Sequence, residues 1–154
     1  MTQTSVKRAF DLHEGFEQNG TDTYVVTTTP FEGTVKLQDE TVAVTVRTPT
    51  LSAVVEGESV ADVVETGWFE TLELRLEDAH TVASTDDISP PRIERDGDHV
   101  VVSLEFSGYP DKGADDAMAI VDFIEGTWVQ GIIPGYEYGE PATSLLSRAR
   151  QEYE

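Results

Sequence analysis

The chain of 154 residues carries thirty Asp and Glu against ten Lys and Arg, a net charge of -20, and it has no cysteine. That balance excludes disulfides and thiol chemistry, and in dilute buffer it repels nucleic acid and acidic membranes while drawing in basic partners. With 38% hydrophobic residues and an ordinary 26% charged, a chain of this length fills the core of one domain and does not read as disordered.

Val6, Ala9, Phe10, His13 and Phe16 fall at helical spacing and predict a first amphipathic helix over 4–18, stopped by Asn19-Gly20. Three alternating segments follow: Tyr24 with Val26, Val35 with Leu37, and Val42, Val44 and Val46. With Asp39-Glu40 as a two-residue loop, Leu37 faces Val42, Val35 faces Val44, and Lys36 faces Ala43 on the other side. A four-residue link at 30–33 then sets Val26 opposite Leu37, so an antiparallel meander is expected, with Pro49 bending its third strand ahead of 51–55.

Ser59 with Asp62 resembles a helix cap, and Val60, Val64, Trp68, Leu72 and Leu76 recur every four residues, predicting a second helix over 59–78. Within it, TLELRLE at 71–77 also alternates as a strand would, although Leu, Glu and Arg favour a helix. Residues 81–91 end in Pro90-Pro91 and read as a loop. Asp96-Gly97 signals a hairpin with a type I′ turn, which sets Arg95 opposite Asp98, Glu94 opposite His99 and Ile93 opposite Val100. Val102, Leu104 and Phe106 share that apolar face. After Gly108-Tyr109-Pro110, Asp115 and Asp116 suit the first turn of a helix whose inner face is Ala117, Ile120, Val121 and Ile124, and Gly126 is positioned to stop it. A closing helix over 142–150 carries Leu145, Leu146 and Ala149 on one side. The expected fold is α+β: one domain over 1–154, with an antiparallel sheet of about five strands, helices packed on one face, and the order α-βββ-α-ββ-α.

The residue types that carry chemistry are not spaced for it. His13, His80 and His99 show no metal-ligand spacing, and His13 with Glu17 makes at most a local helix pair. Asp86-Asp87 and Asp115-Asp116 lack the ordered oxygen ligands of a calcium loop. No GxSxG, SxxK, GxxxxGK or GxGxxG occurs. Trp68, Trp128, Tyr109, Tyr136 and Tyr138 stand without a basic groove, so nucleic acid is not expected as a partner. No catalytic, cofactor-binding or metal residue is assigned, and no cofactor is expected.

The segment 126–139 is the place to look for a working surface, because its glycines permit close approach and its aromatics carry large apolar area. One reading packs it across the sheet as core. The other exposes Trp128, Ile132, Ile133, Pro134, Tyr136 and Tyr138 as an interaction surface, which an acidic coat would make conspicuous. That second reading describes a non-enzymatic protein-interaction or adaptor domain, with a protein partner or a second copy as a homodimer. Its alternative is a small-ligand protein or enzyme with a pocket lined by Trp128, Tyr136 and Tyr138 and carboxylates as acid and base.

Lys7, Lys36 and Lys112 are the only lysines, beside seven arginines. At 1 M salt the Debye length is about 3 Å, so the charge no longer selects partners. Carboxylates then serve as hydrated surface groups, and salt strengthens apolar association. A salt-adapted cytoplasmic protein is expected. The first ten residues hold no apolar run of signal-peptide length, and no run approaches the 18 or so residues of a membrane span, so no membrane partner is expected.

With GWFETLELRLEDA and IVDFIEGTWVQGIIPGYEYGEP both present, the chain resembles a family of small, acidic, uncharacterised proteins of halophilic archaea over nearly its whole length. That resemblance implies no activity and supplies no catalytic residue. The order of helices and strands also looks like that of type III secretion chaperones and YbjN-like proteins, a likeness of fold that implies protein binding and nothing finer.

Overall fold

The computed structural model describes residues 2–39, 41–107 and 112–152. Its strands are β1 (Phe16–Gln18), β2 (Thr23–Val26), β3 (Glu32–Gln38), β4 (Thr41–Pro49), β5 (Arg92–Asp96) and β6 (His99–Ser107). Its helices are α1 (Thr2–Leu12), α2 (Leu51–Val54), α3 (Asp62–Leu76), α4 (Gly113–Gln130) and α5 (Ala142–Glu152), with a 3-10 turn at Ala79–Val82. The strands form one antiparallel sheet in the order β1-β2-β3-β4-β6-β5. The α+β class stands, with six strands in place of about five.

Period-two alternation decides which face is covered. Val42, Val44, Val46 and Thr48 of β4 are buried beside Val100, Val102, Leu104 and Phe106 of β6, and the alternate residues are half-exposed or exposed. Val6 and Phe10 of α1, Leu72 and Leu76 of α3, and Ile120, Ile124 and Trp128 of α4 close over that face as one apolar cluster. Tyr24 is a polar member of this layer. Its hydroxyl donates to Asp11 at 2.5 Å and accepts from Lys7 at 2.9 Å. Burial, helped by the Asp11 bond, holds that hydroxyl protonated above the usual tyrosine range, and the bond to Tyr24 holds Lys7 above its own.

The β3–β4 register is the expected one, with Leu37 opposite Val42 and Val35 opposite Val44; Glu40 of its loop lies outside the described residues, as does the Gly108-Tyr109-Pro110 turn. Two other registers differ. Tyr24 lies opposite Val35, four residues from the expected alignment, and Val26 stands over Gly33, where any Cβ would come within 2.9 Å of its Cγ2. In the last hairpin Asp96 faces His99 and Ile93 faces Val102, so the turn residues are Gly97-Asp98. Gly97 sits at φ 60° and no other residue of the turn has positive φ, the backbone of a type II′ turn in place of I′. His99 therefore meets Asp96, while the Glu94 carboxylate takes the Arg92 side chain at 2.7 Å. Both slips are even, so each apolar residue keeps its face.

Several helix limits are corrected too. The expected first helix ends at Leu12, the His13 ring accepts the Gly15 N–H at 3.0 Å, and Phe16 enters the sheet opposite Val26. Phe16 packs edge-on to Phe10 at 4.9 Å, so a strand buries the residue that helical spacing had claimed. His13 and Glu17 do not share a helix face. After Pro49 the chain forms α2, capped by the Thr50 side chain at the Ala53 N–H. α3 starts at Asp62 behind Ala61, not at Ser59, and stays helical through 71–76, which removes the strand alternative. α4 runs through Gly126 because Thr127 and Trp128 prolong its buried stripe by a further turn. A mid-helix glycine costs about 1 kcal/mol against alanine, less than the ~1.5–3 kcal/mol gained by burying one large apolar side chain.

Candidate binding groove

α3 is apolar on more than one side, with Val63, Val64, Trp68, Phe69, Leu72 and Leu76 spread around it. A helix of that kind is contacted on more than one flank. Leu72 and Leu76 point into the core, whereas Val63 is 80% exposed. Along the outer flank runs a groove of about 490 Å³. α3 supplies Val63, Val64, Gly67, Trp68, Thr71 and Arg75, and the facing wall is residues 130–134. At 1.5 Å per residue the α3 wall is roughly 18 Å long.

The facing wall is held by its own hydrogen bonds. α4 ends where the Gly131 N–H meets the Thr127 and Trp128 carbonyls, each at 3.1 Å, and Ile132 N–H bonds the Val129 carbonyl at 3.2 Å. Tyr138 donates its hydroxyl to the Ile133 carbonyl. Burial raises the Tyr138 pKa above the ordinary tyrosine value, so the group stays a neutral donor. Farther on, Glu56 N–H bonds Glu137 O and Gly139 N–H bonds Val54 O, both at 2.8 Å. Residues 131–139 are thereby pinned to α4 at one end and to the end of α2 at the other.

The six residues expected to form an interaction surface divide into three groups. Trp128 is a core residue, and its place in any exposed patch or pocket rim is corrected. It is fully buried, its ring meets Phe31 edge-on at 5.1 Å, and its Nε1 donates to the Pro49 carbonyl at 3.0 Å. The extension of α4 past Gly126 turns it inward. Ile132 and Ile133, half-buried, and Pro134, exposed, line the groove. Tyr136 and Tyr138 are half-buried, pack edge-on to each other at 6.3 Å, and stand off the groove.

Sequence reasoning missed the α3 wall. Trp68 falls on the four-residue repeat and so reads as core, and it is indeed 4% exposed. Its indole Nε1, however, is enclosed and has no hydrogen-bond partner among the described residues. A buried donor left unpaired costs about 1–3 kcal/mol. It lies near Gly131, where a Cβ would stand 3.8 Å from the nitrogen. A visible signal was Gly67, a helix-interior glycine next to Trp68 in a segment apolar all round.

Among the described residues that line the groove, Arg75 is the charged one. The groove offers apolar surface and a guanidinium. Buried carboxylates elsewhere are engaged in holding the fold. Glu65 accepts the Ser52 N–H at 2.9 Å and its hydroxyl at 2.5 Å, and Asp116 accepts the same two groups of Ser84, each at 2.9 Å. The exposed Asp115 lies 3.3 Å from His13, and the exposed Asp87 accepts the Ser107 hydroxyl at 2.6 Å. Among the described residues no three His, Asp or Glu side chains converge as a metal cage requires, and no helix is long and apolar enough to cross a membrane.

No curated protein and no solved structure matches the chain. The sequence model of a family of unknown function, DUF5813, matches residues 11–148, and the chain belongs to that family.

Proposed function

From membership of a family without an assigned activity, we propose on the groove itself that the protein is a non-enzymatic protein-interaction or adaptor domain, docking a partner between α3 and residues 131–134. The observation that carries this reading is Val63, 80% exposed at the lip of a groove whose far wall is Ile132, Ile133 and Pro134. A contiguous apolar surface of this kind, in a chain of net charge -20, marks a contact site. The lack of an acid or base among the described residues that line it supports binding over catalysis. The acidic coat supports a salt-adapted cytoplasm of the halophilic kind, where salt screens charge pairs and strengthens apolar contacts.

A photo-crosslinking residue placed at Val63, with Leu12 as an equally exposed control, tests the reading in cells. Adducts to one discrete partner at position 63, absent at position 12 and lost on adding Ile133→Asp, are the expected result. Equal labelling at both positions would remove the groove as the contact surface. Sedimentation in molar potassium chloride then distinguishes a second copy, which gives a dimer, from a different protein, which leaves the isolated chain monomeric.

A further inference from the structure

We infer that the outer face of the sheet, which the described helices leave open, is a contact between two copies of this chain. The copies pack face to face about a twofold axis along β4, with Lys36 of each set against Glu105 of the other. This surface is separate from the groove and stands or falls independently of it. The residues of β4 and β6 that alternate with the buried ones are at least partly exposed. At the centre of this open face is Ala43, with Lys36 opposite it on β3 and Glu105 opposite it on β6. Both charged residues are exposed, and neither is in an ion pair among the described residues.

Charge argues that the occupant is a second copy. The row on one side of Ala43 is Gln38, Thr41 and Ser107, and the row on the other is Thr34, Thr45 and Ser103. In a chain of net charge -20, this block holds one cation and one anion, so two copies can meet here without the repulsion of the rest of the coat. A twofold axis along β4 exchanges β3 with β6. It lays Lys36 over Glu105 twice, Thr34 over Ser103 and Gln38 over Ser107, while Thr41, Ala43 and Thr45 meet their own images. The block is therefore self-complementary, as a twofold contact requires. Arg47, two residues past Thr45, also meets its image, but Glu32 and Asp96 lie 3.7 and 3.4 Å from its guanidinium and neutralise it.

Shape and area agree with that assignment. Beside Ala43 and Glu105 the face holds a hollow of about 280 Å³, rimmed by Ser89 and Pro90, which gives the Lys36 side chain of the second copy room to enter. The neighbouring Ala, Ser and Thr side chains are short enough for two sheets to approach to the usual separation of about 10 Å. From β2 to β5 in sheet order, five strands at about 4.8 Å span roughly 24 Å, and the nine residues of β4 run roughly 30 Å. The resulting face of about 700 Å² is close to the ~800 Å² that each partner brings to a standard interface. Enclosed between two sheets, the lysine-carboxylate pairs are screened by salt far less than exposed ones.

The test is sedimentation in molar potassium chloride of the wild-type chain, of Lys36→Glu, of Glu105→Lys, and of an equimolar mixture of the two variants. Both substitutions alter exposed side chains and leave the core untouched, and circular dichroism establishes that each variant keeps the wild-type fold. The wild type should be a dimer. Each variant alone sets like charges together at both contacts and should dimerise at least tenfold more weakly. In the mixture, a heterodimer again has a lysine against a glutamate at both contacts, so dimers should return. An effect confined to one chain cannot be rescued by mixing. A monomeric wild type, variants that dimerise as well as wild type, or a mixture that stays monomeric overturns the inference. Ile133→Asp separates it from the groove reading and should leave this dimer intact. A dimer that Ile133→Asp abolishes and both charge variants keep places the second copy in the groove, which overturns the sheet-face contact and leaves groove docking standing.

Discussion

Thr48 and Trp68 both carry a buried polar atom without a partner among the described residues. Thr48 is 1% exposed on the sheet's covered face, near the end of β4 and opposite Val100, and it does not line the groove. Its hydroxyl contributes a desolvation cost and nothing in return. Thr48→Val should therefore raise the unfolding free energy by about 1 kcal/mol, read as a higher denaturant midpoint at constant salt. A lower midpoint would mean that the hydroxyl has an acceptor in solution. Trp68 carries the same kind of cost, its nitrogen being enclosed as well. Trp128 completes the comparison: it has the same indole group, is likewise buried, and is bonded to Pro49. From the sequence the two tryptophans are hard to tell apart. Trp128 stands among glycines and aromatics and looks like surface, while Trp68 stands on a regular repeat and looks like core alone.

At the level of elements, parity was legible and alignment less so. Alternation assigns strand residues to a face, and those faces hold for β2 to β6. The number of residues in a loop sets the slip, and loop lengths are weakly encoded where no tight turn dictates them. The β3–β4 register was read correctly, whereas in the β5–β6 hairpin, also joined by two residues, Gly97 takes the first turn position in place of the second and moves the alignment by two. Across β2–β3 the space above Gly33, filled by Val26, decided a register that apolar pairing alone could not. Helix ends followed burial over local stop signals, as the passage of α4 through Gly126 shows.

The start of α5 provides a pH test. Glu140 accepts hydrogen bonds from the Thr143 and Ser144 side chains, and those bonds, Ser144 first, lower its pKa below the ordinary glutamate value. A depressed folded-state pKa stabilises the fold above the unfolded value of about 4.3, and the effect is lost as pH falls through the depressed value. Wild type should thus melt slightly above Glu140→Ala at neutral pH, with the difference closing in acid below pH 4. A difference that persists there would assign the effect to packing instead.

Across the whole molecule, thirty carboxylates meet few cations. The ion pairs among the described residues, such as Lys7 with Asp11 and Arg47 with Glu32 and Asp96, are at least partly exposed, so each contributes little. Self-repulsion should dominate in dilute buffer and fade when salt shortens the Debye length. The thermal midpoint should rise steeply with potassium chloride toward molar concentration, followed by circular dichroism. A chain fully folded and equally stable in dilute buffer would refute salt adaptation. The same acidity made the apolar stretch near the C-terminus conspicuous, which is why Ile132, Ile133 and Pro134 could be singled out from sequence. Their counterpart on α3 escaped notice because a groove is a relation between two segments, and pattern along one segment does not report it.

The hydrogen bonds that pin residues 131–139 at both ends have a kinetic consequence. A wall already fixed by Gly131, Glu137 and Gly139 has little conformational freedom left to surrender when a chain settles against it. If a partner docks there as proposed, the ordering on encounter falls mainly on the partner. Association should then proceed at the ordinary docking rate of about 10⁵–10⁷ M⁻¹s⁻¹, without a slow rearrangement of the host, and differences among visitors should show in how long they stay.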